Sequence, residues 1–394
     1  NNFKLVSFNK NNHLGHIYQY ITLLLGMKPG QHEYKVMGLA PYASEYEINK
    51  CYKTFDEILK IKNLNVVFNK KPKDLFYHFK DKFIDSRFDG IAGALQKFLE
   101  NKLNQWFNAC KKKLKLNTFY FSGGVAQNIK AGMYLNHKDN LKKIIIPPAA
   151  GDTSLSIGAC FKAAHDYCNN NKINNNKYIK EVNSLYLGYK ISQNEINSYL
   201  SSNLKKHKYK IFKNFKSKKI AKDLFDGKVI GRCSGKMEFG LRALGNRSII
   251  CDPRYFANIN KINSKIKKRD FWMPFTPSIL SEDFDKYISN PRKLNAKFMS
   301  MAFNTTKEGQ KSLQAAIHPA DYTARPQRLE KKDNPEYYQI IKEFKKLSGV
   351  GALLNTSFNL HGLPIARSIK DAFHVFENSD LDGLIIENYY FIKK

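Results

Sequence analysis

The sequence is short of acidic residues: 34 Asp and Glu stand against 66 Lys and Arg in 394 residues, a formal net charge of +32. Such an excess ordinarily points to a polyanion or an anionic surface as partner. Here the lysines are scattered among asparagines along the whole length, and no nucleic-acid-binding motif accompanies them. Dedicated nucleic-acid binding is therefore not expected, and small anionic substrates are the better match. Long apolar runs are also missing, which argues against a membrane-spanning helix and for a soluble protein. The six cysteines, Cys51, Cys110, Cys160, Cys168, Cys233 and Cys251, form no CxxC pair. No secretory segment precedes them, and they read as reduced thiols in the cytoplasm.

What is present suggests two domains, since 394 residues exceed one typical core. The polar run NNNKINNN cannot bury a core, so a boundary is expected there: a domain over 1–168, a linker over 169–178 and a domain over 179–394. The densest chemistry lies in residues 231–252, GRCSGKMEFGLRALGNRSIICD. It interleaves Arg232, Lys236, Arg242 and Arg247 with Gly231, Gly235, Gly240 and Gly245, and Ser248 follows. Glycines let a backbone approach a ligand closely, and guanidinium and ammonium groups supply the donors that phosphate or carboxylate oxygens need. The stretch reads as an anion pocket. A basic turn between two strands is the alternative, because VIGRC and SIIC both have buried-strand composition.

Elsewhere, residues 14–27 have helical spacing up to Pro29 and Gly30, and His13 and His16 are assigned to a surface or capping role. A periodic helix over 91–109 places Gln96 and Glu100 one turn apart, read as a solvated stripe. TFYFSGGVAQN and IIIPPAAGDTSLSIGAC both read as strand, glycine turn and helix, an arrangement that offers backbone N–H groups to phosphate. LYLGY is expected as a strand, and the prolines of MPFTPSIL suggest an edge or extended run. Asn334, Pro335 and Gly349 bound a helix as cap, first turn and terminator. The strand VGALLN then delivers Asn355, Thr356, Ser357 and Asn359 at its C-terminal end, where open α/β sheets hold their ligands.

Eight segments in one order, EYKVMGLAPY, FSGGVAQN, PPAAGD, GKMEFGLRALGNRSI, MPFTPSIL, TARPQ, NPEYY and LLNTSFNLHGLPI, resemble the O-carbamoyltransferases of nodulation-factor and aminoglycoside biosynthesis. The resemblance runs from about residue 14 to residue 373. It implies an α/β protein: one lobe of an actin/Hsp70-like (RNase H-like) ATPase domain, followed by a YrdC-like domain. The second domain would convert carbamoyl phosphate and ATP to carbamoyl-adenylate, and the first would pass the carbamoyl group to a hydroxyl of a sugar or secondary metabolite. ATP and a divalent metal (magnesium, manganese or iron) are the implied cofactors.

The resemblance also assigns residues. Lys236, Arg242, Arg247 and Arg325 become the cations that meet developing charge, with Ser248, Asn355 and Ser357 as neutral contacts to substrate. Gly123, Gly124 and Asn128 would seat the adenylate, and Asp152 would hold the metal. Family members carry a further half-lobe ahead of the segment matching 14–27, so a separate chain supplying that lobe is an expected partner. The sequence departs from the family pattern at Lys236 and Met273, where Arg is usual, at Leu241, where Pro is usual, and at Leu363, where Glu is common. The losses at 241, 273 and 363 and the missing lobe leave open a non-catalytic nucleotide-binding paralogue or a split-enzyme subunit, and the shared two-domain chemistry and basic surface leave open a relative that transfers threonylcarbamoyl groups to tRNA.

Overall fold

The computed structural model describes residues 4–10, 13–202 and 206–394. The chain divides into two compact units, one of residues 1–152 with 300–302 and one of residues 153–299 with 303–394. The division falls ahead of the Asn-rich stretch, which carries the end of one helix, Leu155–Asn170, and the short helix Asn175–Tyr178.

The first unit contains helices α1 (Leu14–Leu24), α2 (Glu33–Leu39), α3 (Glu45–Asp56), α4 (Leu75–Lys82), α5 (Phe88–Leu114) and α6 (Ile129–His137). Helix α5 is its spine. Ile91, Leu95, Phe98, Leu99 and Leu103 recur at helical spacing and are buried, as an amphipathic pattern dictates. Phe55 of α3, Phe79 of α4 and Phe83 pack with Phe98, the rings 5.1 to 5.8 Å apart around Phe55 and Phe79. Strands β1 (Leu59–Lys62) and β2 (Asn65–Phe68) form an antiparallel pair, while β3 (Thr118–Tyr120) and β4 (Lys143–Ile145) pair in parallel. Parallel pairing makes the two glycine turns leave the same end of this small sheet.

The second unit is built on an eight-stranded mixed sheet. Its strands are β5 (Tyr209–Lys213), β6 (Ile230–Cys233), β7 (Arg247–Cys251), β8 (Thr276–Leu280), β12 (Gln327–Leu329), β13 (Ala352–Ser357), β14 (Gly383–Ile386) and β15 (Tyr389–Lys393). The order is β12-β8-β13-β7-β6-β14-β15-β5. A three-stranded sheet joins β9 (Ile288–Ser289), β10 (Phe303–Thr305) and β11 (Thr323–Ala324). The helices are α7 (Leu155–Asn170), α8 (Asn175–Tyr178), α9 (Gln193–Ser202), α10 (Ser217–Phe225), α11 (Ala257–Ile262), α12 (Phe284–Tyr287), α13 (Lys307–Ser312), α14 (Pro335–Ser348) and α15 (Ile369–Glu377). One large core joins α9, α11 and α15 to the sheet through Ile196, Ile259, Phe373, Phe376, Ile249, Leu384 and Phe391.

Two expected elements take other forms. MPFTPSIL is not at an edge: β8 is fully buried between β12 and β13. The Leu280 amide donates to the Gly351 carbonyl, so alternation leaves Pro277 at a position that owes β13 no hydrogen bond, and pairing with β12 begins only at Ser278. LYLGY makes no strand among the described residues, only an isolated bridge between Tyr186 and Glu238. Its side chains instead support the basic loop: Leu185 packs against Leu244 and Met299, and the Tyr186 hydroxyl donates to the Leu244 carbonyl at 2.9 Å.

Register sets the working end of the sheet. Ser357 at the end of β13 opposes Ser248 of β7, Asn355 opposes Thr276 at the start of β8, and Gln327 at the start of β12 lies beside Ser278. The end of β6, Cys233, opposes Arg247. The segments carrying Arg242, Arg269, Arg325 and Ser357 therefore all emerge at one end.

Candidate functional site

Residues 234–246 form the connection between antiparallel β6 and β7, so the turn reading and the anion-pocket reading describe the same segment. Three glycines there, Gly235, Gly240 and Gly245, have positive φ. At Gly245, with φ +115°, a Cβ would also strike the Tyr337 ring. The loop is held by side chains rather than by a ladder. Asn355 Nδ2 donates to the Ala243 carbonyl at 3.1 Å, and Gln327 Nε2 to the Leu244 carbonyl at 2.9 Å. The Ser248 hydroxyl accepts from the Gly245 amide at 3.0 Å, which makes Ser248 part of the loop's frame.

The four cations expected to converge do not all do so. Arg247 is fully buried, and it donates to the carbonyls of Gly235, Asn246 and Tyr189 at 2.9 to 3.1 Å. Arg232 is also buried, with Nη1 on the Gly245 carbonyl and Asn246 Oδ1 and Nη2 on Glu336 at 2.7 Å. Both sit on interior strands, so their guanidinium groups enter the fold and hold the loop's ends. Lys236 is exposed, and its carbonyl accepts from Asn246 Nδ2.

Arg242 remains, and it meets two other arginines. Burial, then the like charges of Arg242 and Arg269, hold the Arg325 guanidinium well below the usual arginine range. Arg325 is partly exposed as a residue, yet its Nε is shut off from solvent with no hydrogen-bond partner among the described residues. The charges of Arg242 and Arg269 thus lie near enough to Arg325 to disfavour its charged form. Beside the loop lies a cavity of about 350 Å³ lined by Lys190, Ser234, Glu336 and Glu387, among others. Two of its lining groups, Glu336 and Glu387, are carboxylates, which repel phosphate.

Lys267 and Arg269, absent from the expected site residues, complete this end. Lys267 is 2% exposed, and its Nζ donates to the carbonyl and hydroxyl of Ser357 and to the carbonyl and Oδ1 of Asn359, at 2.5 to 3.2 Å. Burial and the neighbouring Arg269 hold its ammonium group well below the usual lysine range. Lys268, with φ +45°, separates the two side chains after the helical turn Asn263–Lys267. The sequence signal was KKRD ahead of a buried strand, facing the polar residues at the end of β13.

In the first unit, Gly123 has φ +106°, and a Cβ on Gly123 or Gly124 would meet nothing within 4 Å, so this turn is sterically open. The Gly123 amide is already bonded to the Ala150 carbonyl. Asn128 caps α6, its Oδ1 accepting from the Ala131 amide at 2.9 Å. It also exchanges hydrogen bonds with Gln96 at 2.9 and 3.1 Å, and the Tyr18 hydroxyl joins at Gln96 Oε1. The solvated-stripe reading of Gln96 is thereby corrected: it is 6% exposed and bridges Asn128 to Glu100. A lone polar residue on a helix does not reveal a partner thirty-two positions away.

Asp152 is exposed and opens the short turn Asp152–Ser154. Among the described residues no three His, Cys, Asp or Glu side chains gather to hold a cation. Asp152 offers one carboxylate of the several ligands that a divalent ion takes.

Family models described as carbamoyltransferase N-terminus and carbamoyltransferase C-terminus match residues 2–161 and 221–393. Nodulation protein NolO of Bradyrhizobium diazoefficiens is 32% identical over 392 residues, covering 97% of this chain and 69% of its own length. The chain belongs to the carbamoyltransferase family.

Other members align with different extents. An uncharacterized protein of Methanocaldococcus jannaschii is 34% identical over 97% of this chain and 62% of its own. The 3'-hydroxymethylcephem-O-carbamoyltransferase of Amycolatopsis lactamdurans is 27% identical over 43% of this chain and 31% of its own. The chain thus spans 69% of the length of NolO and 62% of that of the Methanocaldococcus protein. The match to the carbamoyltransferase C-terminus takes in Arg242, Lys267, Arg269, Arg325 and Ser357 together.

Proposed function

We propose that the second unit of this carbamoyltransferase-family chain forms carbamoyl-adenylate from carbamoyl phosphate and ATP. Water is consumed, and phosphate and pyrophosphate are released. The carbamoyl group is then passed to a hydroxyl of a sugar or secondary metabolite. The observation that carries this reading is the meeting of Arg242, Arg269 and Arg325 at the end of the sheet where Ser357 and Asn359 lie. Two phosphorylated substrates repel each other, and reaction requires cations placed where charge develops on the transferred oxygens. Arg325 is suited to that position, with the charges of Arg242 and Arg269 near it. Lys267 holds Ser357 and Asn359 in place, and the Ser357 hydroxyl in turn donates to Asn359 Oδ1 at 2.6 Å.

Within this reading residues 179–394 make up a YrdC-like domain. The first unit is one lobe of an ATPase-like domain, with the Gly123–Gly124 turn against the adenylate and a partner polypeptide completing the transfer site. No step is routed through a protein-bound metal; magnesium enters the test as the counter-ion of ATP. The test is pyrophosphate release from purified protein given carbamoyl phosphate, ATP and magnesium. Release is expected to fall about a hundred-fold in Arg325→Ala. Release that is absent in the unaltered protein, or unaffected by this substitution, overturns the proposal.

A further inference from the structure

The loop 234–246 carries Arg242 into the electrostatic neighbourhood of Arg325. Its glycines at 235, 240 and 245 make it intrinsically pliant, and the described residues between β6 and β7 form no helix or strand. Something must therefore hold the half of the loop that follows Arg242. Glu238 occupies that place. It is 8% exposed, and its Oε1 accepts from the amides of Leu244 at 2.7 Å, Asn246 at 2.8 Å and Arg247 at 3.2 Å. No lysine or arginine among the described residues makes an ion pair with it, so its three amide donors are what this buried oxygen holds. Three converging N–H groups form a concave cradle that a single neutral acceptor would fill less well.

We propose that Glu238 is a positioning residue that folds the loop back on itself and so presents Arg242 to phosphoryl oxygens. The inference rests on the reading that the arginines bind such oxygens. Glu238 acts through the backbone on both sides of residue 242, its bonds being to amides and not to a guanidinium group. The Tyr186–Glu238 bridge and the Tyr186 hydroxyl on the Leu244 carbonyl anchor the same turn from below.

A double-mutant cycle on the full chain tests this, with inorganic pyrophosphate as probe and calorimetry as readout. Glu238→Gln keeps an acceptor of the same shape without the charge. It is expected to weaken pyrophosphate binding about ten-fold and to speed hydrogen exchange at the amides of Leu244, Asn246 and Arg247. In the Arg242→Ala background the same substitution should change binding less than about two-fold, because the group it positions is gone. Equal losses in both backgrounds would mean a general structural effect and overturn the proposal, as would unchanged binding in Glu238→Gln despite faster exchange at the three amides. If Arg242→Ala and Arg325→Ala both bind pyrophosphate as the unaltered chain does, the anion site itself is wrong, and the role of Glu238 falls with it. Weakened binding in those two variants with an additive cycle removes only the role given to Glu238.

Discussion

Lys267 spends four hydrogen bonds on Ser357 and Asn359 while buried beside Arg269, and its ammonium group is held below the ordinary lysine range by burial and then by that like charge. The unfolded chain binds the proton more tightly than the folded one, so between the folded pKa and the ordinary value of about 10.4 stability rises with pH. The stability of the unaltered protein relative to Lys267→Met is accordingly expected to increase from pH 7 toward pH 10. Urea unfolding across that range checks it, and a flat difference would contradict the assignment. Arg247 makes the opposite case. Its two terminal nitrogens are committed to three carbonyls, so Arg247→Ala should lower stability by about 3 kcal/mol, the cost of leaving buried acceptors unpaired. Arg242→Ala, at a half-exposed position, should cost less than about 1 kcal/mol in the same unfolding measurement while weakening pyrophosphate binding.

Helix α14 shows an element whose ends are written locally and whose place is not. Asn334 Oδ1 accepts from the Tyr337 amide, Pro335 occupies the first turn, and Gly349 closes the helix with φ +73°. All three were legible in order along the chain, because capping involves neighbours within four residues. The same Asn334 also donates through Nδ2 to Asn246 Oδ1 at 2.8 Å, eighty-eight residues away, tying the helix to the basic loop. Asn334→Ala is therefore expected to cost about 2 kcal/mol, roughly half from the cap and half from the lost loop bond. Asn334→Asp should recover only the capping half. Chemical denaturation of the two variants separates these shares. LYLGY and MPFTPSIL mark the limit of local reading: one has strand composition but supports a loop, and the other carries prolines yet lies inside a sheet.

At the scale of the whole molecule, two compact units should give two calorimetric transitions, and pyrophosphate should move only that of the second. Ligand at a hundred times its Kd is expected to stabilise that unit by about 2.7 kcal/mol. Movement of both transitions together would show that the anion site is not confined to the second unit. The sequence by itself determined the α/β alternation, the two strand–glycine–helix units, the caps of α14 and the family, since each depends on residue types at short spacing or on motifs in order. Only the tertiary structure decided which cations work together. The sequence grouped Lys236, Arg242, Arg247 and Arg325, with Arg232 in the same basic stretch, but strand register buries Arg232 and Arg247 inside the sheet and leaves Lys236 in solvent. Arg242 and Arg325 stay together and Arg269 joins them, the three drawn from separate segments by the pairing of β7, β13, β8 and β12. Which side of a strand faces inward, and which strand lies beside which, are set by burial across the whole sheet. Spacing along the chain does not carry that information.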